Sequence, residues 1–399
     1  MPSDLTLVHA MAACQERVDT ARWLVNGYCN RRITRQDFDH MNYRRVSVAT
    51  IALAASLTVS PCPPLPSAEQ SVTKKLEHPA ASLANEPLLP DVSLEKATEF
   101  LDAGARAHEK KCVNCHASFA YLMARPALPV FTEKHGEVRK SLEDWVAYLE
   151  GLQLRTTSDS RRRAEAVMSG AVLAQHDAET TGKLRPVTRR ALDLMWQVQL
   201  PDGGFDWLKP NDEPPSAIDN HFGATMAAIA AGIAPGGYAD SPKTRVHIDK
   251  LRGYLRTHPP QHMHQRGMLM LADHFLGGLM SEQKRRHIVS DLFELQHPDG
   301  GWALAALGDA TWKRKDNTPQ DLTTSDGYGT GFSVYVLRTA GGIPADDGRI
   351  QRAVSWLKSN QRASGGWYSR SPKNKDALSS YVGSAYAVMA LKACEDESP

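Results

Sequence analysis

Cys112-Val113-Asn114-Cys115-His116 is the stretch of this chain whose residue types and spacing carry the most chemistry. Two thiols three positions apart can each form a thioether with one vinyl group of a single porphyrin. The histidine that follows then lies under the iron, where an imidazole nitrogen serves as an axial ligand. The motif therefore reads as one covalent haem c, joined through Cys112 and Cys115 and ligated by His116. An incidental thiol pair and a zinc knuckle are the competing readings. Zinc needs a fourth ligand, for which His108 and His135 are the nearest candidates. The distal haem ligand stays open. Met123 lies seven residues on, about 10 Å of helical rise, with Pro126 close behind. Met168, His135, His176, Met195, His221 and the His262-Met263-His264 cluster are not distinguished by sequence.

Haem is joined to such a motif outside the cytoplasmic membrane, so an export signal bears on it. Val46 to Val59 is an uncharged apolar run of 14 residues, preceded by Met41-Asn42-Tyr43-Arg44-Arg45 and followed by a Pro/Ser-rich stretch to Ser67-Ala68. A basic start, an apolar middle and small residues afterwards are the layout of a secretory signal, and the run is too short for a comfortable membrane helix. The expectation is a signal peptide over 41–68, with residues 1–40 arising from a start assigned too early. The mature chain is then periplasmic or otherwise exported, with no stable membrane span after cleavage. A cytoplasmic tail before an uncleaved anchor is the alternative.

The first 68 residues hold seven of the 47 Lys and Arg and five of the 45 Asp and Glu, leaving 40 of each sign. A neutral chain without a basic stripe excludes nucleic acid as a partner. Cys14, Cys29 and Cys62 go with that segment, leaving only Cys394 outside the motif, so this is no disulfide scaffold. Residues 69–95, rich in Pro, read as a tether. Ala97 to Lys111 predicts a helix leading into the motif, which Ala117 to Arg125 continues until Pro126 ends it. The haem-attachment segment is placed at 96–141.

A repeat dominates the rest. Gln, three residues, Gly-Gly and an aromatic recur at Gln199 to Phe205, Gln296 to Trp302 and Gln361 to Trp367. Four and seven residues before each Gln stand Met195 and Leu192, Leu292 and Val289, Leu357 and Val354. That spacing is one face of an amphipathic helix, stopped by the glycines. Small-residue helices follow at Phe222 to Ile233, Tyr328 to Ala340 and Tyr381 to Ala393. The spacing between units is irregular, 97 and then 65 residues. Met268 to Gly278 reads as the remnant of a degenerate unit, paired with the helix before Gln296. The domain over 142–395 is expected to be all-α, built of helical hairpins.

Gln296-His297-Pro298-Asp299-Gly300-Gly301-Trp302 and its two siblings resemble the QW repeats of squalene and oxidosqualene cyclases and the turns of protein prenyltransferase β-subunits. The resemblance implies an α/α toroid, inner helices ringed by outer ones around a central cavity. It also implies that Gln199, Gln296 and Gln361 tie helix ends together, with Phe205, Trp302 and Trp367 stacked against them. The D-x-D-D acid of alkene-protonating cyclases is missing after the signal, and so is the Asp/Cys/His zinc set of prenyltransferases. Class II cyclase activity is therefore not expected. Asp202, Asp219, Asp299 and Asp326, beside Gly-Gly turns and before helices, read as caps. Trp207, Trp302, Trp312, Trp356 and Trp367 read as packing, and Lys313-Arg314-Lys315 as a solvated loop. Two functions follow: electron transfer by an exported haem c protein with a redox partner protein, or a cyclase-like enzyme or carrier holding an isoprenoid or other apolar ligand. A haem and cavity acting together is the third reading.

Overall fold

The computed structural model describes residues 82–108, 117–128, 132–155, 159–208 and 220–395. Twelve α-helices alternate between two layers. The outer layer consists of α1 (Leu94–His108), α3 (Glu133–Glu150), α5 (Pro186–Gln197), α7 (Pro242–Thr257), α9 (Glu282–Glu294) and α11 (Gly348–Ser359). The inner layer consists of α2 (Ala117–Ala124), α4 (Ser160–Thr180), α6 (Asn220–Ile233), α8 (Met263–Leu276), α10 (Gly327–Thr339) and α12 (Asp376–Glu395). Each inner helix packs on the next, and α12 packs back on α2, so the ring closes. The protein is an all-α, α/α toroid of six hairpins.

Composition separates the layers. Outer helices bury one stripe, as α11 does with Ile350, Ala353, Val354 and Leu357, and keep charge on the other side. Inner helices are apolar or small on nearly every side, as in α6, where His221 to Ala231 are all buried. Small residues set how closely they approach. A Cβ on Gly331 of α10 would stand 2.6 Å from the Ala387 nitrogen of α12. Short polar caps begin many helices: Ser241, Ser281, Asp326 and Asp347 each accept a backbone N–H of the first turn of α7, α9, α10 and α11.

The three Q-x-x-x-G-G turns are the seams of the outer layer. Gln199 Nε2 donates to Gly203 O in its own turn at 3.1 Å and to His247 O of α7 at 3.0 Å. Gln296 Nε2 does the same to Gly300 O and to Arg349 O of α11, both at 2.8 Å. Gln361 Nε2 reaches Gly365 O at 2.7 Å and Ser93 O at 2.9 Å, while its Oε1 accepts from Ser93 N at 2.6 Å. Each glutamine thus joins the tail of one outer helix to the head of the next, and the third joins the last to the first. The glycine after it must be glycine. Gly203, Gly300 and Gly365 have φ of 93–94°, and a Cβ on Gly365 would lie 2.1 Å from Lys96 O. Trp302 and Trp367 donate their indole N–H to Leu292 O and Leu357 O, at 2.7 and 2.8 Å. Phe205 has no such donor.

Four sequence expectations change. Residues 86–93 are not tether: Leu89 N donates to Gln361 O, Ala363 N donates to Pro87 O, and Glu86 binds Ser364. The helix before the cysteine motif is not continued by Ala117 to Arg125. Tyr121 Oη lies 2.7 Å from Asp102 Oδ1, whereas 19 residues of one helix would separate them by about 28 Å. These segments are the outer and inner members of the first hairpin. The toroid therefore starts at Leu94, not at 142. The helix holding Met268 packs on the helix before Gln296, as expected, yet it is no remnant: α8 is a full inner helix, and the connection into it at 258–262 lacks the glutamine turn. The basic run is not wholly solvated either, since Arg314 donates to Ser371 O at 2.6 Å and binds Asp316.

Gln361 is fully buried, whereas Gln296 is half-buried and makes two of these bonds. Gln361→Ala strands three buried partners and is expected to cost about 2–4 kcal/mol, more than Gln296→Ala, by urea midpoint. Equal losses would show that closure of the ring has no special weight. Gly365→Ala is expected to leave no cooperative unfolding transition.

Candidate functional site

The first turns of α2, α6 and α10 meet the middle of α4 and α12 around an apolar cavity on the ring axis. Phe119, Met123, Met168, Phe222, Met226 and Met389 line it, with Ala120, Val382 and Ala385. The space open to a water-sized sphere is about 50 Å³, inside a recess of about 520 Å³ that is partly open to solvent. Two hydroxyls are the polar groups of its wall, those of Tyr328 and Tyr386. Among the described residues no carboxylate lines it. The rule that places these side chains is helical: 119, 120 and 123 on α2, 222 and 226 on α6, and 382, 385, 386 and 389 on α12 are each one face of a helix.

Behind Tyr328 lies a cluster of rings. His264 Nε2 is 3.2 Å from Tyr328 Oη, and its ring stacks on Phe332 at 4.3 Å. His262 caps α8 and meets Trp312 edge-on at 5.0 Å. Asp326, the α10 cap two residues before Tyr328, is the nearest buried acid. Complete burial raises its pKa to about 7. Both its oxygens are committed, to Gly329 N at 2.9 Å and to Leu304 N at 2.7 Å.

A second buried polar group lies between α1, α2, α3 and α4. Asp102 accepts from Tyr121 and, at 3.2 Å, from Thr132 Oγ1, and Arg125 is hydrogen-bonded to Tyr121. Arg139 Nη1 donates to Asp177 Oδ1 at 2.9 Å and to His176 Nδ1 at 2.7 Å. Arginine has no acceptor, so His176 carries its proton on Nε2 and donates it to His135 Nε2, 2.8 Å away. That chain fixes both tautomers and holds both rings neutral. Burial first, then nearby guanidinium groups, push His135 down to about 4 and His176 to about 3.

The structure sorts the sequence candidates accordingly. Met123 and Met168 face the axial cavity. Met226 and Met389 join them, unannounced by any motif and found only through the face their helices turn inward. His135 and His176 are engaged with each other, Arg139 and Asp177, which withdraws His135 from zinc. Met195 is core, fully buried on α5. His221 is buried beside the cavity residue Phe222. Asp202 and Asp299 brace their own turns through Gly204 N and Gly301 N, at 2.9 and 3.0 Å. The five tryptophans are buried and none lines the cavity. Cys112, Cys115, His116, Asp219 and the expected signal at 41–68 lie outside the described residues. Among those described, no group of three or more His, Cys, Asp or Glu could hold a metal ion, and no helix is long and apolar enough to cross a membrane.

No protein-family model matches the chain, and no curated protein matches it. Solved structures similar to it include the type II terpene cyclase MstE from Scytonema in its apo form, at 12% identity and a TM-score of 0.44, covering 75% of this chain and 98% of that one. Two variants of MstE in complex with geranylgeranyl dihydroxybenzoate are similar too. One has 12% identity and a TM-score of 0.44 over 75% of this chain and 97% of that one. The other has 14% identity and a TM-score of 0.41 over 76% and 98%.

The lowered histidines give a signed pH dependence. Between their folded values, about 4 and about 3, and the ordinary 6.5, the unfolded chain binds protons that the folded chain refuses. Stability therefore falls as the pH drops from about 7 toward 4. Urea midpoints at pH 7 and pH 4.5 are expected to fall farther apart for the wild type than for a His135→Gln, His176→Gln double variant. Matching slopes would show that the pair titrates normally.

Proposed function

We propose that the toroid binds an apolar small molecule in its axial cavity, as a carrier or as an enzyme acting on such a ligand. The observation that carries this reading is the cavity wall, with its four thioethers and two phenylalanines at the meeting of the inner helices. A drug-sized ligand needs a pocket of roughly 300–1,000 Å³, so entry requires side chains to move. Methionine suits that need, being unbranched and polarizable. Class II cyclisation stays unsupported, because alkene protonation needs an acid facing the ligand and the described wall offers none.

A second reading, favoured by helical register, is that haem c is attached at the rim. Phe119, Ala120 and Met123 form the cavity stripe of α2, and His116 falls on the same stripe in sequence, one turn earlier. A porphyrin exceeds the cavity, so the group would sit outside it. Cys112 and Cys115 would hold it covalently and His116 would ligate its iron, and of the sequence candidates Met123 and Met168 are the thioethers that line the cavity. Haem supplies one-electron transfer when bound, and its potential follows the axial ligands and solvent access. Export to the periplasm and a redox partner protein belong to this reading.

Titration of the full chain with farnesene is expected to show saturable binding. Ala385→Leu, which fills the cavity, is expected to weaken it about 10-fold or more. Binding unaffected by that change would place the ligand elsewhere. Expression with the native signal and a haem-maturation system is expected to yield haem that stays with the denatured chain and is lost in Cys112→Ala, Cys115→Ala. Free, alkylatable thiols in the wild type would remove the second reading.

A further inference from the structure

The two phenols of the cavity wall are not equivalent. Tyr328 and Tyr386 face each other with ring centroids 5.2 Å apart. Tyr328 Oη lies 3.2 Å from His264 Nε2, so its hydroxyl is engaged behind the wall. His264 is held in place by its stack on Phe332, and Tyr386 meets the same Phe332 edge-on at 5.4 Å.

Tyr386 differs: among the described residues Tyr328 is the one polar side chain acting on its hydroxyl, and no group behind the wall engages it. That hydroxyl belongs to a side chain lining an otherwise apolar cavity. Burial holds both phenols far above their ordinary pKa, so they remain donors throughout the physiological range.

We propose that the cavity selects apolar molecules bearing one hydrogen-bond-accepting oxygen, a carbonyl above all, and that Tyr386 Oη is the group that donates to it. The inference rests on the reading that the cavity binds an apolar ligand and narrows its class. The hydrocarbon body lies against Phe119, Phe222 and the methionines, and the oxygen faces Tyr386. Orientation follows, because a single polar point in an apolar chamber admits one end of the ligand and not the other. Proton transfer is not part of the proposal, since a phenol so far from ionising acts as a donor of a hydrogen bond and not of its proton.

The experiment compares two probes on the full-length protein by calorimetric titration: geranylacetone, and the hydrocarbon of the same skeleton with CH₂ in place of the carbonyl. The wild type is expected to bind the ketone about 5- to 10-fold more tightly, the worth of one such bond. Tyr386→Phe is expected to abolish that preference while leaving hydrocarbon affinity within about twofold. Tyr328→Phe, which removes the phenol already engaged by His264, is expected to leave the preference in place. Equal binding of the two probes by the wild type overturns the proposal even if no variant folds. A preference that survives in folded Tyr386→Phe overturns it as well. Binding of neither probe overturns the cavity reading together with this one.

Discussion

Closure of the ring is the constraint on which the other features depend. Six hairpins placed side by side would leave two raw faces, one on α1 and α2 and one on α11 and α12. The third glutamine turn removes them. Gln361 exchanges hydrogen bonds with Ser93 across 268 residues of sequence, Tyr381 Oη donates to Leu101 O at 2.7 Å, and residues 86–89 are laid along the same turn. Burying one amide side chain with all its partners satisfied is worth little by itself. Its position makes it decisive, since every inner helix gains its second neighbour only if the circle is complete.

A closed ring of small-residue helices creates an axis, and what meets there is set by the first turns of α2, α6 and α10. Most polar groups in the interior are used up. The Asp102 and Arg139 clusters satisfy one another through short contacts, leaving neutral imidazoles in fixed tautomers, and Asp326 spends its carboxylate on backbone N–H groups. The axial cavity differs in kind. Its wall is hydrocarbon and thioether, interrupted by a pair of phenols, one of them in contact with His264 behind it. Buried polar groups elsewhere stabilise the scaffold, and the pair at the axis faces empty space.

The QW-like turns and the chemistry of the cavity belong to separate layers of the molecule. The glutamines, glycines and indoles act within the outer layer, where they lock neighbouring helices, and none lines the cavity. A scaffold can therefore keep its turns while its interior changes. Here the wall carries no facing carboxylate among the described residues, while the cysteine motif occupies the connection of the first hairpin, the place where other hairpins carry a glutamine turn.

Much of the architecture was legible in the residues alone. Periods of 3, 4 and 7 before Gln199, Gln296 and Gln361, followed by Gly-Gly, specify an amphipathic helix, a left-handed stop and a small-residue helix, because those are local rules of backbone and burial. Asp326 as a cap and the tryptophans as packing follow from the same rules. The first hairpin was illegible because it lacks the glutamine turn, and nothing local tells whether two helical segments are one helix or two in different layers. The membership of Met226 and Met389 in the cavity, the pairing of His135 with His176 and the contact of His264 with Tyr328 join residues tens to more than a hundred positions apart. Such contacts exist only once the ring has closed. Sequence determined the helices before the three glutamine turns and their stops. Tertiary structure decided which side chains share the axis, because that depends on the face each helix turns inward, and only packing against two neighbours fixes that face.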